Sequence, residues 1–374
     1  MVPLEYGTPQ GRSHAFPNAQ NQQTATQLAS FFVYVIQDYQ LVTITNLLME
    51  QTKTNAGAFV DAAKLQLDGG FRNATNNIAF ELFGDGSGSR GSIASGTNPS
   101  GNTYVMVLSN SNFVVNFEVG MTLVNFTYSA GTISAISSTQ GSITAVDRSN
   151  GIVTVLASGS DASWTTAGKN LGVYGDIISG AVNTTSSLCL SGLQAWLPAV
   201  APTAGSPLFW GVDRSADPTR LGGLRYNAQA YTIEEGVTNA LAFANREGAK
   251  PDLLIMDFAS YASLVNSLGA KVQYVQVKHD EVEVAFEGIT FQSAYGRVTV
   301  LADRSCPPQT GFALTMSTWK LRSLGKVPHI LTYGMEGLEG LRVGNADALE
   351  IRIGYYGNLI CSAPGWNMQI ALSA

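Results

Sequence analysis

Six residues, Gly86-Ser-Gly-Ser-Arg-Gly91, satisfy the spacing G-x-G-x-x-G, which in dinucleotide-binding folds lets backbone amides approach a pyrophosphate. That chemistry needs a strand before the motif and a helix after it. Here the pattern predicts a long helix before it and β-rich sequence after it, and no Lys-Ser/Thr pair follows as in a phosphate loop. The motif therefore reads as a flexible loop closing a helix. Asp85-Gly-Ser-Gly-Ser opens like a calcium loop, but its twelfth position is Gly96, where a bidentate Glu is required. His279-Asp280-Glu281 sets a base beside two carboxylates, yet a strand sends neighbouring side chains to opposite faces, so a solvated strand edge is the reading. His14 and His329 are too scattered to add a metal site. Glu234-Glu235 is explained by a helix N-terminus, and Glu336 with Glu339 by an exposed Gly-rich turn. Cys189, Cys306 and Cys361 are three and unclustered, neither a disulfide framework nor a zinc pattern, and suit a reducing cytoplasm. Trp164, Trp196, Trp210, Trp319 and Trp366 lack flanking cations in most cases and are expected in cores or interfaces. No catalytic, cofactor-binding or metal-binding residue is assigned, and the chain is not expected to be an enzyme.

These residues sit on elements that the pattern partly specifies. Residues 1–29 are Gln/Asn/Thr-rich without periodicity and read as an extended arm. Phe31–Ile36 and Leu41–Thr45 are β-prone runs separated by Gln37-Asp38-Tyr39-Gln40, which predicts a hairpin or extended loop. Over Ala56–Phe83, residues Val60, Ala63, Leu67, Phe71, Ala74, Ile78 and Leu82 recur at spacings of three and four. This predicts a helix roughly 40 Å long at 1.5 Å per residue. Gly69-Gly70 is a weak point where it could bend, and Gly84 ends it.

From Ile93 to Gly175 the sequence turns Ser/Thr/Gly/Val-rich and almost uncharged. Strands are predicted at Tyr104–Leu108, Phe113–Phe117, Met121–Phe126, Thr132–Ile136, Thr144–Val146 and Ile152–Leu156. The last two flank Asn150-Gly151, the strongest short hairpin signal. A small all-β domain inserted into the main fold is expected. Beyond Asp176, Leu188–Leu197 stays unassigned. Thr232-Ile-Glu-Glu235 is a capping box opening a helix that ends near Gly248. Pro251–Met256 reads as a buried strand, Ser260–Leu268 as a helix closed by Gly269, and Lys271–Phe291 as alternating strand. Val298–Leu301, Phe312–Met316, Leu349–Tyr355 and Met368–Leu372 complete the strands. No internal repeat is visible, and the mixture without regular alternation is α+β.

The composition narrows the function further. Charged residues are only 13% of 374, against 45% hydrophobic, roughly half the usual charged share. Such a surface must be Ser, Thr, Asn, Gln and Gly, or be hidden against other subunits. Net charge is −6, with no Lys/Arg-rich run, so sequence-specific nucleic-acid binding through a basic groove is not expected. MVPLEYGTPQGR has no apolar segment resembling a secretion signal, and no run approaches the ~18 apolar residues of a membrane span.

The stretch Leu41–Ile93 (LVTITNLLMEQ … LFGDGSGSRGSI) resembles the tailed-phage major capsid family, with its Hong Kong 97-type fold. Pro251–Met256 followed by a helix, Gly222-Gly-Leu-Arg-Tyr226, and the closing segment Ala348–Leu372 with Cys361-Ser-Ala-Pro364 look similar too. The resemblance spans most of the chain outside 99–175. It implies an N-terminal arm over residues 1–29, an extended β-hairpin loop over 30–55, and a spine helix with its glycine loop over 56–98. The inserted β-domain would be 99–175. The peripheral domain would continue through 176–231 and end in 336–374, around an axial domain at 232–335. Tyr34, Tyr39, Asp85, Ser87 and Arg90 become candidates for the assembly loop contacts.

By the same resemblance, the chain would form pentamers and hexamers that close an icosahedral head around double-stranded DNA, in the virion and, during assembly, in the host cytoplasm. Portal and decoration proteins would be partners. Scaffolding is expected from a separate protein, because no charged helical segment precedes the arm and Met1 is retained. Some relatives cross-link through a lysine in the extended loop; no Lys or Arg lies between Arg12 and Lys53, which implies a non-covalent shell. An encapsulin-like compartment is the alternative, and a β-rich hydrolase or adhesin a more distant one.

Overall fold

A computed structural model describes residues 1–47, 56–268, 289–293, 296–332, 341–344 and 346–373. Expectations for Lys271–Phe291 up to position 288, for His279-Asp280-Glu281, Gly269 and Glu336/Glu339, and for 48–55 of the extended loop lie outside the described residues.

The long helix forms over Ala56–Phe83 and stops where expected, Gly84 N–H donating to the Glu81 carbonyl at 3.0 Å. It crosses a strand, Ile36–Thr45, which pairs antiparallel with Ala348–Cys361 from Thr45↔Ala348 to Ile36↔Gly357. The predicted hairpin is therefore corrected: the polar run 37–40 is not a turn but the middle of one continuous strand. The reason lies on the helix. Asn73 Nδ2 donates to Gln40 Oε1 at 2.8 Å and Asn77 Nδ2 to Asp38 Oδ2 at 2.9 Å, so a helical i,i+4 pair meets a strand i,i+2 pair. The polarity that suggested a loop is interface chemistry between two elements. The other expected run, Phe31–Ile36, is split: Phe31 ends a different strand, Gln27–Phe31, paired with Val2–Gly7, and Ile36 begins the strand that runs to Thr45. Residues 1–7 are thus part of the body, with Val2 buried; the remaining arm carries a short helix, Phe16–Asn21, with no buried residue.

Gly69 and Gly70 are not equivalent. A Cβ on Gly70 would collide with Val42 Cγ2 and come within 3.2 Å of Ile353 Cδ1, whereas one on Gly69 meets nothing. Gly70 is the point where the helix backbone touches the sheet, beside buried Val42, Ala74 and Ile353. Gly69→Ala is expected to raise stability by about 0.5–1 kcal/mol through helix propensity. Gly70→Ala is expected to lower it by about 1–3 kcal/mol through overpacking. Denaturant midpoints of the two variants moving in the same direction would count against this placement.

The other margin of Ala348–Cys361 carries, in turn, Trp319–Ser323, His329–Ile330 and Leu341–Arg342. A separate mixed sheet holds, among the described residues, Leu224–Asn227, Met368–Ala371, Thr310–Leu314, Leu253–Met256, Gly296–Ala302 and Ile289–Ser293 in spatial order. It packs against the helices Ile233–Arg246 and Phe258–Leu268, through Val237, Leu241, Leu254 and Ile370 among others. The N-cap half of the capping box forms, Thr232 Oγ1 accepting from Glu235 N–H at 3.5 Å, while the Glu235 carboxylate accepts from the Thr232 hydroxyl at 3.3 Å.

Between these parts, the β-rich segment is a closed structure. Gly91–Ser100, Thr103–Leu108, Ile152–Ala157, Gly141–Asp147 and Thr122–Ser129 pair in that order. Asn170–Val173 bridges the last back to the first: Leu171 faces both Gly91 and Asn125. The result is a six-stranded ring, starting at Gly91, around Tyr104, Met106, Phe117, Leu123, Val153, Val155 and Trp164. Trp164 Nε1 donates to Thr139 Oγ1 at 2.9 Å, satisfying the indole inside an apolar core. Thr132–Ser134 and Gly180–Ala181 extend the sheet outside the ring. The expected strand Phe113–Phe117 is instead a 3-10 helix, Ser111–Asn116, because the Asn110 side chain caps it by accepting from Asn112 N–H at 2.9 Å. Its Val114 is buried against the barrel core. Leu188–Leu197, left unassigned, holds a four-residue helix, Leu193–Trp196. Its Trp196 meets Phe31 and Phe209 edge-on at 5.2 and 4.9 Å.

Candidate functional site

The helix, the crossing strand and the barrel meet at the glycine turn, which holds three of the five candidate residues; Tyr34 and Tyr39 form a second group outside it. Asp85, Ser87 and Arg90 face inward. Asp85 Oδ1 accepts from Ser87 N–H at 2.9 Å and from its hydroxyl at 2.5 Å, and Ser87 Oγ accepts from Ser89 N–H at 3.2 Å. Gly86 and Gly88 have φ of +84° and +73°, the left-handed region where glycine is at ease. The turn is therefore an ordered, largely buried device, which corrects the expectation of a flexible loop. Burial raises the Asp85 carboxyl above its ordinary pKa, opposed by the bonds from Ser87.

Arg90 ties the turn to both neighbours. Its guanidinium donates to Asn77 Oδ1 of the helix and lies 4.9 Å from the Phe80 ring centre. It also reaches the Asn116 carbonyl at 3.4 Å, while Asn116 Nδ2 donates back to the Arg90 carbonyl at 3.0 Å. Burial lowers the Arg90 pKa, and facing Glu81 opposes that shift.

Tyr34 and Tyr39 face outward. Tyr34 is 53% exposed and its ring centre lies 6.0 Å from that of Trp210; Tyr39 is 43% exposed, donating to Gln37 Oε1 at 2.7 Å and meeting Tyr356 edge-on. The two groups are nevertheless connected. Asn358 Nδ2 donates to the Tyr34 carbonyl at 2.9 Å, and Ser191 N–H donates to Asn358 Oδ1 at 3.2 Å. Ser191 Oγ donates to Asn183 Oδ1 at 2.6 Å, and Asn183 Nδ2 donates to the Asp85 carbonyl at 3.0 Å. Asn183, Ser191 and Asn358 are all buried, so this is a buried chain of hydrogen bonds from the exposed loop to the glycine turn, where each broken bond strands a polar group.

Glu81 is the residue that sequence reasoning missed. Its Oε2 accepts from Tyr355 O–H at 3.2 Å and Leu190 N–H at 3.4 Å, and Oε1 from Asn77 Nδ2 at 3.3 Å. Burial, then the nearby Asp38 carboxylate, pushes its pKa to about 8. Nothing in the sequence around Glu81 marks it, because its environment comes from residues 38, 90, 190 and 355.

Asp85 and Ser87 thus order the turn from within, while Arg90, Ser89 and the Asp85 carbonyl tie it to neighbouring elements. His329 Nδ1 lies 2.6 Å from the Lys326 carbonyl, and His14 is exposed in the arm. Among the described residues no group of His, Cys, Asp and Glu is placed to hold a metal ion, and none of their helices is long and apolar enough to cross a membrane.

No protein-family model matches the chain, and no curated protein matches it in sequence. Among solved structures, the cyanophage A-1(L) capsid asymmetric unit aligns over 100% of this chain and 89% of its own, at 10% identity and a TM-score of 0.52. The fold is that of a phage capsid protein. A virus-like particle from Pyrococcus furiosus aligns over 37% of this chain and 47% of its own (14% identity, TM-score 0.24). The satellite phage P4 procapsid including size determination (Sid) protein aligns over 41% and 42% (8% identity, TM-score 0.25). These two overlaps are too partial to carry weight. Within this fold the inward residues tie helix, strand and barrel together, while Tyr34 and Tyr39, packed beside Trp210 and Tyr356, keep part of their side chains exposed.

Proposed function

We propose that this chain is the major capsid protein of a tailed phage, assembling into the icosahedral head around double-stranded DNA and acting structurally, not as an enzyme. The observation that carries the reading is a capsid fold shared along the entire chain with a cyanophage capsid subunit. The long helix over a continuous strand, ended by an ordered glycine turn, is what a Hong Kong 97-type spine requires of this sequence. In that scheme residues 1–29 are the arm, anchored to the body through the strand Val2–Gly7, 30–55 the extended loop, and 56–90 the spine helix with its glycine turn. The insertion is moved forward from 99 to begin with the strand Gly91–Ser100 and runs to 175, with 232–335 the axial domain and 176–231 with 336–374 the peripheral domain. Contact with a neighbouring copy falls to Tyr34 and Tyr39, whose side chains are exposed, while Asp85, Ser87 and Arg90 act by fixing the loop's base. Pentamers and hexamers of the chain, with portal, separate scaffold and decoration proteins as partners, place it in the virion after assembly in the host cytoplasm.

Two measurements test this. Negative-stain microscopy of the purified protein, with scaffold supplied if needed, is expected to show closed shells; only monomers or amorphous aggregate under both conditions would remove the reading. Denaturing gels of those particles are expected to show a single monomer band, since residues 13–52 contain no lysine. A ladder of covalent oligomers would refute the non-covalent joint.

A further inference from the structure

Among the described residues the strand Trp319–Ser323 pairs with Gly357–Cys361 alone and lies at the margin of its sheet. From Lys320 to Lys326 every residue is exposed. The segment 319–332 holds Lys320, Arg322 and Lys326 and no acidic residue, in a chain that is acidic overall. Among the described residues none of these three cations has an ion-pair partner, and the paired segment 357–361 contains no carboxylate. By contrast Arg148, Arg220, Arg246 and Arg352 are each paired with a nearby Asp or Glu.

We propose that this basic margin binds the phosphodiester backbone of duplex DNA without reading sequence. Lys320 and Arg322, two apart in a strand, project from one face roughly 7 Å apart. That span covers about two phosphates of one DNA strand at 3.4 Å each. Lysine on a free sheet edge disfavours addition of a protein strand, but it leaves side-chain tips available to phosphates, which need no backbone edge. Leu321 and Leu324, also exposed, are what a competing partner, an acidic protein segment, would use. That DNA is present beside this strand rests on the shell reading; that the margin is phosphate-seeking does not.

The test uses the full-length chain, held below its assembly concentration, and a short fluorescent duplex titrated at several salt concentrations. Wild-type protein is expected to bind with an affinity that falls as salt rises. Lys320→Glu/Arg322→Glu keeps charge on the sheet edge but reverses its sign. It is expected to weaken low-salt binding at least tenfold and to flatten the log–log salt slope by about 2, near 0.9 for each phosphate no longer neutralised. Lys320→Gln/Arg322→Gln should flatten the slope equally, and melting curves establish that both variants fold. Equal slopes in all three proteins, or no duplex binding by wild type, overturns the proposal. So does unchanged duplex binding with a salt-dependent assembly defect, which would assign the margin to an acidic protein surface. Shell formation, read separately by microscopy, distinguishes failure of the capsid reading from failure of this one.

Discussion

Gly192→Ala is expected to disrupt the joint between the long helix and the aromatic core, lowering stability by about 3 kcal/mol or more, at the severe end for a single methyl. A Cβ at this position would collide with the Glu81 carbonyl and sit 2.6 Å from that of Leu82 and 2.7 Å from the Gly84 nitrogen. All three are backbone atoms at the helix end, so no side chain can rotate away. Relief requires moving the helix terminus or the turn Leu193–Trp196, and Ala195 N–H already bonds the Gly84 carbonyl across that gap at 3.3 Å. Movement would also disturb Trp196, whose Nε1 donates to the Leu359 carbonyl at 3.1 Å. Thermal melting should show a fall of many degrees for Gly192→Ala beside a slight rise for Gly69→Ala. A melting point within about 2 °C of wild type would mean that the helix end and the core are not in rigid contact.

The second large effect is a loss of stability with rising pH that runs through Glu81. Its folded-state pKa of about 8 lies above the ordinary 4.5, so the folded protein holds a proton that the unfolded chain has released. The stabilisation from that proton is complete below about pH 4.5 and is lost progressively as pH rises to about 8. At 1.36 kcal/mol per unit, the window accounts for roughly 3–5 kcal/mol. Above it, a buried carboxylate faces Asp38, with Arg90 opposing. Glu81→Gln keeps the site neutral and preserves its shape. Denaturant midpoints from pH 5 to 9 should therefore diverge, the variant matching wild type near pH 5 and exceeding it at pH 9. Parallel curves would show that Glu81 is ionised in the folded protein throughout.

What could be read in advance was local. Asn150-Gly151 gave the hairpin because turn geometry is decided within four residues, and Thr232 with Glu235 gave a helix start for the same reason. The helix over Ala56–Phe83 was legible from spacing alone. The strand at 36–45 was misread because Asp38 and Gln40 are satisfied by Asn77 and Asn73, partners more than thirty residues away. The β-character of 91–175 was plain in composition, but its closure depends on Asn170 and Leu171 meeting Gly91–Ser92 and Asn125–Phe126 at once. Likewise Asp85 and Ser87 stood out by motif, while Asn183, Ser191 and Asn358, which connect them to Tyr34, carry no pattern of their own. Long-range polar pairing was the common missing piece.

The closed ring of strands has a consequence for crowding. An open sheet offers a free ladder of N–H and C=O groups on which another chain can grow, and tight packing of identical copies would favour such growth. Here the strands close into a ring through short pairings of Asn170–Leu171 with Gly91–Ser92 and of Thr122–Leu123 with Gly141–Ser142, and the sheet's outermost strand beyond it, Gly180–Ala181, is two residues long. A Ser/Thr/Val-rich, nearly uncharged insertion, of a composition that in an open sheet favours fibres, thereby ends in an outer strand too short to template a neighbouring copy.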